Sequence, residues 1–172
     1  MNLQSNDFQL FGLPERFAQP GAEIERRWKD LQTRVHPDRF AVQGEAAQRL
    51  AMQWSVRVNE AYRRLRDPLK RATYLCELRG APIQAESNTA MPADFLARQL
   101  QWRETLEEAR DASQLSELRA QATTERDALL LECERQLDAQ DNPKAAAQQV
   151  RSTMFLDRLL REVEDRSASL TS

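Results

Sequence analysis

Apolar residues in the first half of the chain recur at helical spacing in four segments. A short apolar cluster at residues 8–13 predicts one or two helical turns. Two longer segments, at about 22–35 and 45–66, each place their apolar residues on one face, which predicts amphipathic helices. Their stripes are Ile24, Trp28, Leu31 and Val35, and then Ala47, Leu50, Trp54, Val58, Ala61 and Leu65. A fourth helix is predicted over 68–78, with Gly80 as its C-terminal cap.

The second half of the chain predicts three more amphipathic helices, at about 92–111, 113–140 and 143–168. Beyond residue 91 the sequence has no glycine, and its two prolines suit the first turns of helices. Asn142 or Asp141 is expected to cap the last of these helices. Three amphipathic helices with short connections predict an antiparallel bundle.

The composition between these groups of helices indicates two modules. Residues 80–91, GAPIQAESNTAM, are small, polar and without periodicity, which predicts a linker. We therefore expect an all-α protein, with a four-helix module at 1–79 and a three-helix bundle at 92–172.

The amino-acid content removes several classes of function. The 172 residues suffice for one or two domains with cores of their own. Cys76 and Cys133 lie far apart without C-x-x-C spacing, so neither a disulfide framework nor a cysteine zinc ribbon is expected. The single histidine, His36, excludes a multi-histidine metal centre. No apolar run approaches ~18 residues and no secretory signal is evident, so we expect a cytoplasmic protein that does not bind membranes.

The net charge of −2 hides an asymmetry along the chain. Residues 1–80 contain 14 Lys and Arg against 10 Asp and Glu, while residues 81–172 contain 11 against 17. Opposite signs in the two halves suggest two modules with different partners, although ordinary scatter of surface charge is the alternative.

The most specific feature is His36-Pro37-Asp38, between the second and third predicted helices. Pro37 disfavours helical backbone at His36, so the second helix is predicted to end there and a loop to run to Gly44. Basic residues precede this loop, and two further motifs follow it: Arg26, Arg27, Lys29 and Arg34, then Asn59-Glu60-Ala61-Tyr62 and Asp67-Pro68-Leu69-Lys70-Arg71. In this order, over residues 6–79, these features resemble a J-domain.

Four further phrases narrow the resemblance to the HscB family, the J-domain co-chaperones of iron–sulfur cluster assembly. They are Phe8 to Pro14 (FQLFGLP), His36 to Phe40 (HPDRF), Asp67 to Leu75 (DPLKRATYL) and Asp94-Phe95-Leu96. The glycine- and phenylalanine-rich stretch and the cysteine-rich zinc repeats of a general DnaJ protein are absent from the sequence. The resemblance implies two partners, a DnaK-like chaperone (HscA) and the cluster scaffold IscU, and no cofactor.

The resemblance also implies that the J-domain docks on the chaperone and accelerates its ATP hydrolysis. Pro37 would fix the loop, Asp38 would accept hydrogen bonds from a partner arginine, and His36 would donate or accept one. A basic face would steer association. That face comprises Arg26, Arg27, Lys29 and Arg34, with Arg39 added by position and with Glu25 and Asp30 interrupting it. The sequence offers no catalytic constellation, so we expect no enzyme.

The first and last helices of the bundle carry apolar residues away from their core stripes. With the stripe that contains Trp102 facing inward at ~100° per residue, Leu96 lies at its flank and Leu100 well away from it. The same arithmetic places Phe155 off the stripe of the last helix. Exposed apolar residues beside acids are candidate partner contacts. The alternative is that Leu100 and Phe155 only widen the bundle core.

In the HscB family these two helices are implied to hold IscU. The matching positions here are Leu96, Leu100, Glu104 and Phe155. Ala97 and Gln101 occupy neighbouring positions where relatives can carry a larger apolar residue and an acidic one.

Two other functions stay open, a J-protein with a different client and a helical nucleic-acid binder that uses the basic second helix. The acidic second half of the chain disfavours nucleic acid as a partner. Trp28 and Tyr62 are expected to be packing residues. Cys76 and Cys133 are expected to be small buried apolar groups, since their spacing supplies no four-ligand cluster set.

Overall fold

A computed structural model of the chain describes residues 2–84 and 91–171, and over these residues every long element is a helix. The helices are α1 (Asp7–Phe11), α2 (Gly21–Val35), α3 (Glu45–Arg66), α4 (Pro68–Leu78), α5 (Ala93–Glu108), α6 (Ala112–Glu134) and α7 (Pro143–Thr171). A short 3-10 segment, Pro37–Gln43, follows α2, and a π-helical turn, Arg135–Ala139, follows α6. The all-α class and the seven predicted helices are confirmed.

Two compact units divide the chain, Met1–Leu75 and Cys76–Ser172. The division falls within α4, whereas the sequence predicted the end of the first module at residue 79. Half of the predicted linker, residues 85–90, lies outside the described residues. The boundaries of the J-domain and of the bundle therefore stay predictions.

The described start of the predicted linker belongs to the core of the second unit. Gly80 has φ 81°, and the amide of Ala81 donates to the carbonyl oxygen of Cys76 at 2.8 Å, so the predicted glycine cap of α4 is confirmed. Ala81 and Ile83 are buried, and Arg151 donates from Nη1 to the carbonyl oxygen of Ile83 at 3.1 Å. These residues are packed and not exposed to solvent, because their apolar side chains have a core to enter. The linker over 80–91 stays a prediction.

A buried carboxylate fastens the short helix α1 to α3. A helix of five residues is not stable alone. The carboxylate of Asp7 is completely buried and stabilises α1 by accepting hydrogen bonds from α3. Arg57 donates from Nη1 to Asp7 Oδ1 at 2.7 Å, and Arg64 donates from Nε to Asp7 Oδ2 at 2.6 Å. The apolar core of this unit lies below these contacts and includes Phe8, Ile24, Val58, Leu65 and Leu75.

The predicted stripes of α2 and α3 are confirmed except at one position. Leu50 is 49% exposed. It lies at the flank of the buried stripe of α3, which includes Ala51 and Val58. Trp28 and Tyr62 stack with their ring centroids 4.3 Å apart, and Trp28 Nε1 donates to Asn59 Oδ1 at 3.0 Å. Both aromatic residues are therefore packing residues, as predicted.

The second unit is a bundle in which α6 runs antiparallel to α5 and α7. Early and late residues of the two long helices oppose each other, as in the contacts of Arg126 with Asp157 and of Cys133 with Ala146. The α5–α6 break comes slightly earlier than predicted, since α5 ends at Glu108 and the Asp111 carboxylate accepts the Gln114 amide at 2.8 Å.

The turn between α6 and α7 corrects one predicted element. The sequence predicted an α-helix to residue 140, but the amide of Gln140 donates to the carbonyl oxygen of Arg135 at 3.1 Å, which widens the last turn into a π-helical one. The Asn142 side chain then accepts the amide of Ala145 at 3.2 Å, so Asn142 caps α7 as predicted.

Candidate partner-binding surfaces

The His36-Pro37-Asp38 motif lies at the end of α2, where the chain turns sharply. His36 has extended backbone angles, φ −60° and ψ 128°, as expected for a residue before proline. The sequence predicted a loop from here to Gly44, but Pro37–Gln43 form a 3-10 helix. The fixed φ of Pro37 suits the first position of such a turn, and the amide of Arg39 donates to the carbonyl oxygen of His36 at 3.0 Å.

The side chains of His36 and Asp38 both face solvent, with exposed fractions of 55% and 90%. His36 Nδ1 accepts the amide of Asp38 at 3.3 Å, so the proton of a neutral ring lies on Nε2. The nearer Asp38 carboxylate oxygen lies 3.6 Å from the same Nδ1. The motif thus presents an imidazole N–H donor and a carboxylate acceptor side by side on a rigid turn.

The basic face of α2 is interleaved with acids that pair with it. Arg26 bonds to Glu23 at 2.7 Å and approaches Asp30 at 3.3 Å, and Lys29 lies 3.1 Å from Glu25. Hydrogen bonds from Arg26 and then Arg27 lower the pKa of Glu23 to about 2. These exposed ion pairs are weak, so Arg26 and Lys29 remain accessible to a partner. The neighbouring acids nevertheless reduce the positive electrostatic potential of this face.

Two arginines of the predicted basic face are engaged in holding the fold. Arg27 donates from Nη1 to the carbonyl oxygens of Phe11 and Gly12, at 2.9 and 2.8 Å, and so caps the end of α1. Arg39 donates from Nη1 to the carbonyl oxygen of Thr33 at 3.0 Å. Arg27 is therefore partly buried and bonded to α1, a contact sixteen positions away for which the sequence carries no signal. Its role in chaperone binding stays a prediction.

A second exposed surface lies on α5. Leu100 is 68% exposed and Leu96 43% exposed, on the face opposite to the buried Trp102. The other predicted members of this surface, Ala97, Gln101 and Glu104, are exposed as well. The predicted orientation of α5 is confirmed, and the alternative that Leu100 widens the core is excluded. We refer to Leu96, Ala97, Leu100, Gln101 and Glu104 as the α5 patch.

The predicted exposure of Phe155 is wrong, because only 7% of this residue is exposed. Its ring packs edge-on against Phe95, with centroids 6.0 Å apart, and stacks near Trp102 at 6.4 Å. The sequence predicted one narrow apolar stripe on α7. In the structure this helix packs against both α5 and α6, so it buries residues over a wider arc of its surface. Phe155 belongs to the core at the seam between α5 and α7.

Two arginines of α5 cover the aromatic cluster, and no sequence pattern singles them out. The guanidinium carbon of Arg103 lies 5.4 Å from the centroid of the Phe155 ring, and its Nη1 donates to Glu162 of α7. Arg98 lies 5.4 Å from the Trp102 ring and pairs with Glu125 of α6. Each arginine thus joins α5 to a different neighbour across the same aromatic cluster.

The two cysteines lie fully buried in the second unit. Burial raises the pKa of Cys76 to about 11 and that of Cys133 to about 12, which disfavours the thiolate that a cluster or metal needs. In the described parts of the chain, no group of three or more His, Cys, Asp or Glu side chains is placed to hold a metal ion. None of the helices at 2–84 and 91–171 is both long and apolar enough to span a bilayer.

The chain matches known proteins over nearly its whole length. Residues 91–164 match the family model described as the HSCB C-terminal oligomerisation domain. The co-chaperone protein HscB homolog of Bordetella petrii is 49% identical over 157 residues, which cover 91% of this chain and 92% of that protein. The homolog of Burkholderia multivorans is 48% identical over 166 residues, or 95% and 94% of the two chains.

Comparison with solved structures also finds HscB proteins. The chaperone HscB from Vibrio cholerae has a TM-score of 0.82 at 35% identity, over 96% of this chain and 99% of that one. The human co-chaperone HscB has a TM-score of 0.92 at 22% identity, over 99% and 86%, which is a likeness of fold. The fold, with its exposed His-Pro-Asp turn, defines a J-domain co-chaperone that ends in a helical bundle. The chain belongs to the HscB family of co-chaperones.

Proposed function

We propose that this HscB-family chain is an adaptor between a chaperone and its client. Its first unit binds a DnaK-like chaperone (HscA) and stimulates ATP hydrolysis, and its bundle delivers the iron–sulfur scaffold protein IscU. The observation that carries the proposal is the separation of two exposed surfaces. The His-Pro-Asp turn belongs to one compact unit and the α5 patch to the other.

The chaperone contact is proposed to centre on Asp38. Its exposed carboxylate can accept charge-assisted hydrogen bonds from an arginine of the chaperone. His36 adds a donor at Nε2, and Pro37 keeps the two side chains at a fixed separation. Arg26, Lys29 and Arg34 would steer the approach of an acidic surface, which changes the association rate more than the affinity.

The client contact is proposed to centre on Leu96 and Leu100. A protein surface that covers these two side chains would gain about 1.5–3 kcal/mol for each large apolar group that it buries fully. Glu104 at the edge of the α5 patch favours a basic rim on the partner. Holding client and chaperone on one chain makes their encounter intramolecular and raises its effective concentration.

A single-turnover ATPase assay tests both halves of this proposal. Purified HscA would be measured alone, with this protein, and with this protein plus apo IscU. We expect stimulation by the protein alone and a further increase when the scaffold is added. Absence of stimulation would contradict the chaperone half, while stimulation without any effect or binding of IscU would point to a different client.

A further inference from the structure

The burial of Phe155 conflicts with the role in client binding that the resemblance implies for it. The HscB resemblance assigns this residue to scaffold binding, yet its ring is almost completely buried at the seam between α5 and α7. The α5 patch beside it is exposed. A partner that docks on the α5 patch can therefore reach Phe155 only if something at the seam moves.

The residue that covers Phe155 at this seam is Arg103. Its guanidinium carbon lies 5.4 Å from the ring centroid, and its Nη1 donates to Glu162 of α7. The side chains of Arg103 and Glu162 are themselves partly exposed. Arg103 therefore contacts the Phe155 ring on one side and solvent on the other.

The position of Arg103 on α5 connects this cover to the patch. Arg103 follows Leu100 by three residues, so the two side chains are neighbours on the helix surface. A protein that buries Leu100 must also meet Arg103. Exposed cation–π contacts and exposed ion pairs are each weak, so such a partner can displace the arginine at low cost.

We propose that Arg103 is a positioning residue that covers Phe155 in the free protein and swings aside when the scaffold binds. The inference deepens the proposed function and rests on it for the identity of the partner. In the free protein only the fraction of molecules with Arg103 displaced presents Phe155. The apparent affinity for the scaffold is therefore the intrinsic affinity multiplied by that fraction.

Arg98 supplies a matched control on the same helix. It also lies over the aromatic cluster, 5.8 Å from the Phe95 ring centroid and 5.4 Å from that of Trp102, and it also makes an ion pair. Its partner, Glu125, belongs to α6 and not to α7. Removing Arg98 therefore perturbs the cluster to a similar extent without opening the seam that holds Phe155.

Binding of apo IscU by the full-length protein, measured by stopped flow and calorimetry, tests the cover. Arg103→Ala is expected to bind about 3- to 30-fold more tightly, mainly through faster association, because the closed state has lost its two weak contacts. Glu162→Ala should change affinity in the same direction and by less, and Arg98→Ala should leave it unchanged. Weaker or unchanged binding by Arg103→Ala would overturn the proposal.

A measurement without any partner separates this proposal from the proposed function. The protein would be labelled with 4-fluorophenylalanine, and the Phe155 resonance would be assigned with Phe155→Leu. Its solvent-isotope shift between H₂O and D₂O should increase in Arg103→Ala and stay constant in Arg98→Ala. An unchanged shift would overturn the cover whatever IscU does, whereas an increased shift without IscU binding would contradict only the proposed client.

Discussion

Asp7 of α1 and Arg64 of α3 lie 57 positions apart in the sequence, yet Arg64 Nε donates to Asp7 Oδ2 at 2.6 Å. The carboxylate is completely buried and also accepts a bond from Arg57 at 2.7 Å. Tyr74 Oη accepts the backbone amide of Asp7 at 3.0 Å. The first helix is thus held by charge as well as by its apolar face.

Asp7→Asn should destabilise the first unit strongly. The substitution removes the negative charge and leaves two guanidinium groups without their anion, which costs about 3–5 kcal/mol of the free energy of unfolding. Urea denaturation followed by circular dichroism would measure the loss. Asp165→Asn, at an exposed position of α7, serves as the control and should change stability by no more than about 0.5 kcal/mol. Equal effects of the two substitutions would contradict the anchoring role.

Asp38→Asn and His36→Gln should each abolish stimulation of the chaperone ATPase while leaving the melting temperature near that of the wild type. Both side chains are more than half exposed, so neither substitution removes core packing. The pair of measurements is single-turnover ATP hydrolysis and thermal unfolding. Full stimulation by both variants would contradict the chaperone contact.

Lys29→Glu should slow association with the chaperone more than it changes the dissociation rate. The side chain is exposed, and its pairing with Glu25 contributes little to stability. Because salt screens exposed charges, the difference from wild type should shrink as ionic strength rises. Lys144→Glu, which makes the same change of charge at an exposed position of α7, is the control. A defect that is independent of salt would show that Lys29 does not act by steering.

Leu100→Ala and Phe155→Ala should differ in their effects on folding stability. Leu100 is exposed, so its truncation should weaken IscU binding by about tenfold or more with a nearly unchanged melting temperature. Phe155 is a core residue, so its truncation should cost about 3–5 kcal/mol of folding stability. Both quantities would be measured on the same purified variants. A large loss of stability in Leu100→Ala would contradict the exposed α5 patch.

The burial of the two cysteines predicts how folding stability changes at alkaline pH. Burial raises the pKa of Cys76 from an ordinary 9.0 to about 11 and that of Cys133 to about 12. Protonated thiols are favoured in the folded state, so this contribution to stability is complete below pH 9 and is lost as the pH rises towards 11 and 12. The double variant Cys76→Ala, Cys133→Ala should show a shallower loss of stability over that range. Both thiols should also resist alkylation until the protein unfolds.

The limits of prediction from sequence are clearest in the bundle. The spacing of Trp102 and Leu100 sufficed to assign opposite faces of α5, because the buried residues of that helix lie on one narrow stripe. The same arithmetic failed for Phe155, since α7 buries residues over a much wider arc of its surface. Long-range polar contacts such as Arg27 with Phe11 and Arg103 with Glu162 have no periodicity, and only the fold reveals them.

The burial of Ala81 and Ile83 decides where the bundle can be cut for separate expression. A fragment that begins at residue 92 lacks both side chains and lacks the carbonyl oxygen of Ile83 that Arg151 bonds. It also lacks Arg79, which donates to the carbonyl oxygen of Leu137 at 2.6 Å. Such a fragment would expose the apolar surface that these two side chains cover, and it should aggregate more readily than one that begins at Cys76. Dissection of the chain for binding studies should therefore keep the end of α4 with the bundle.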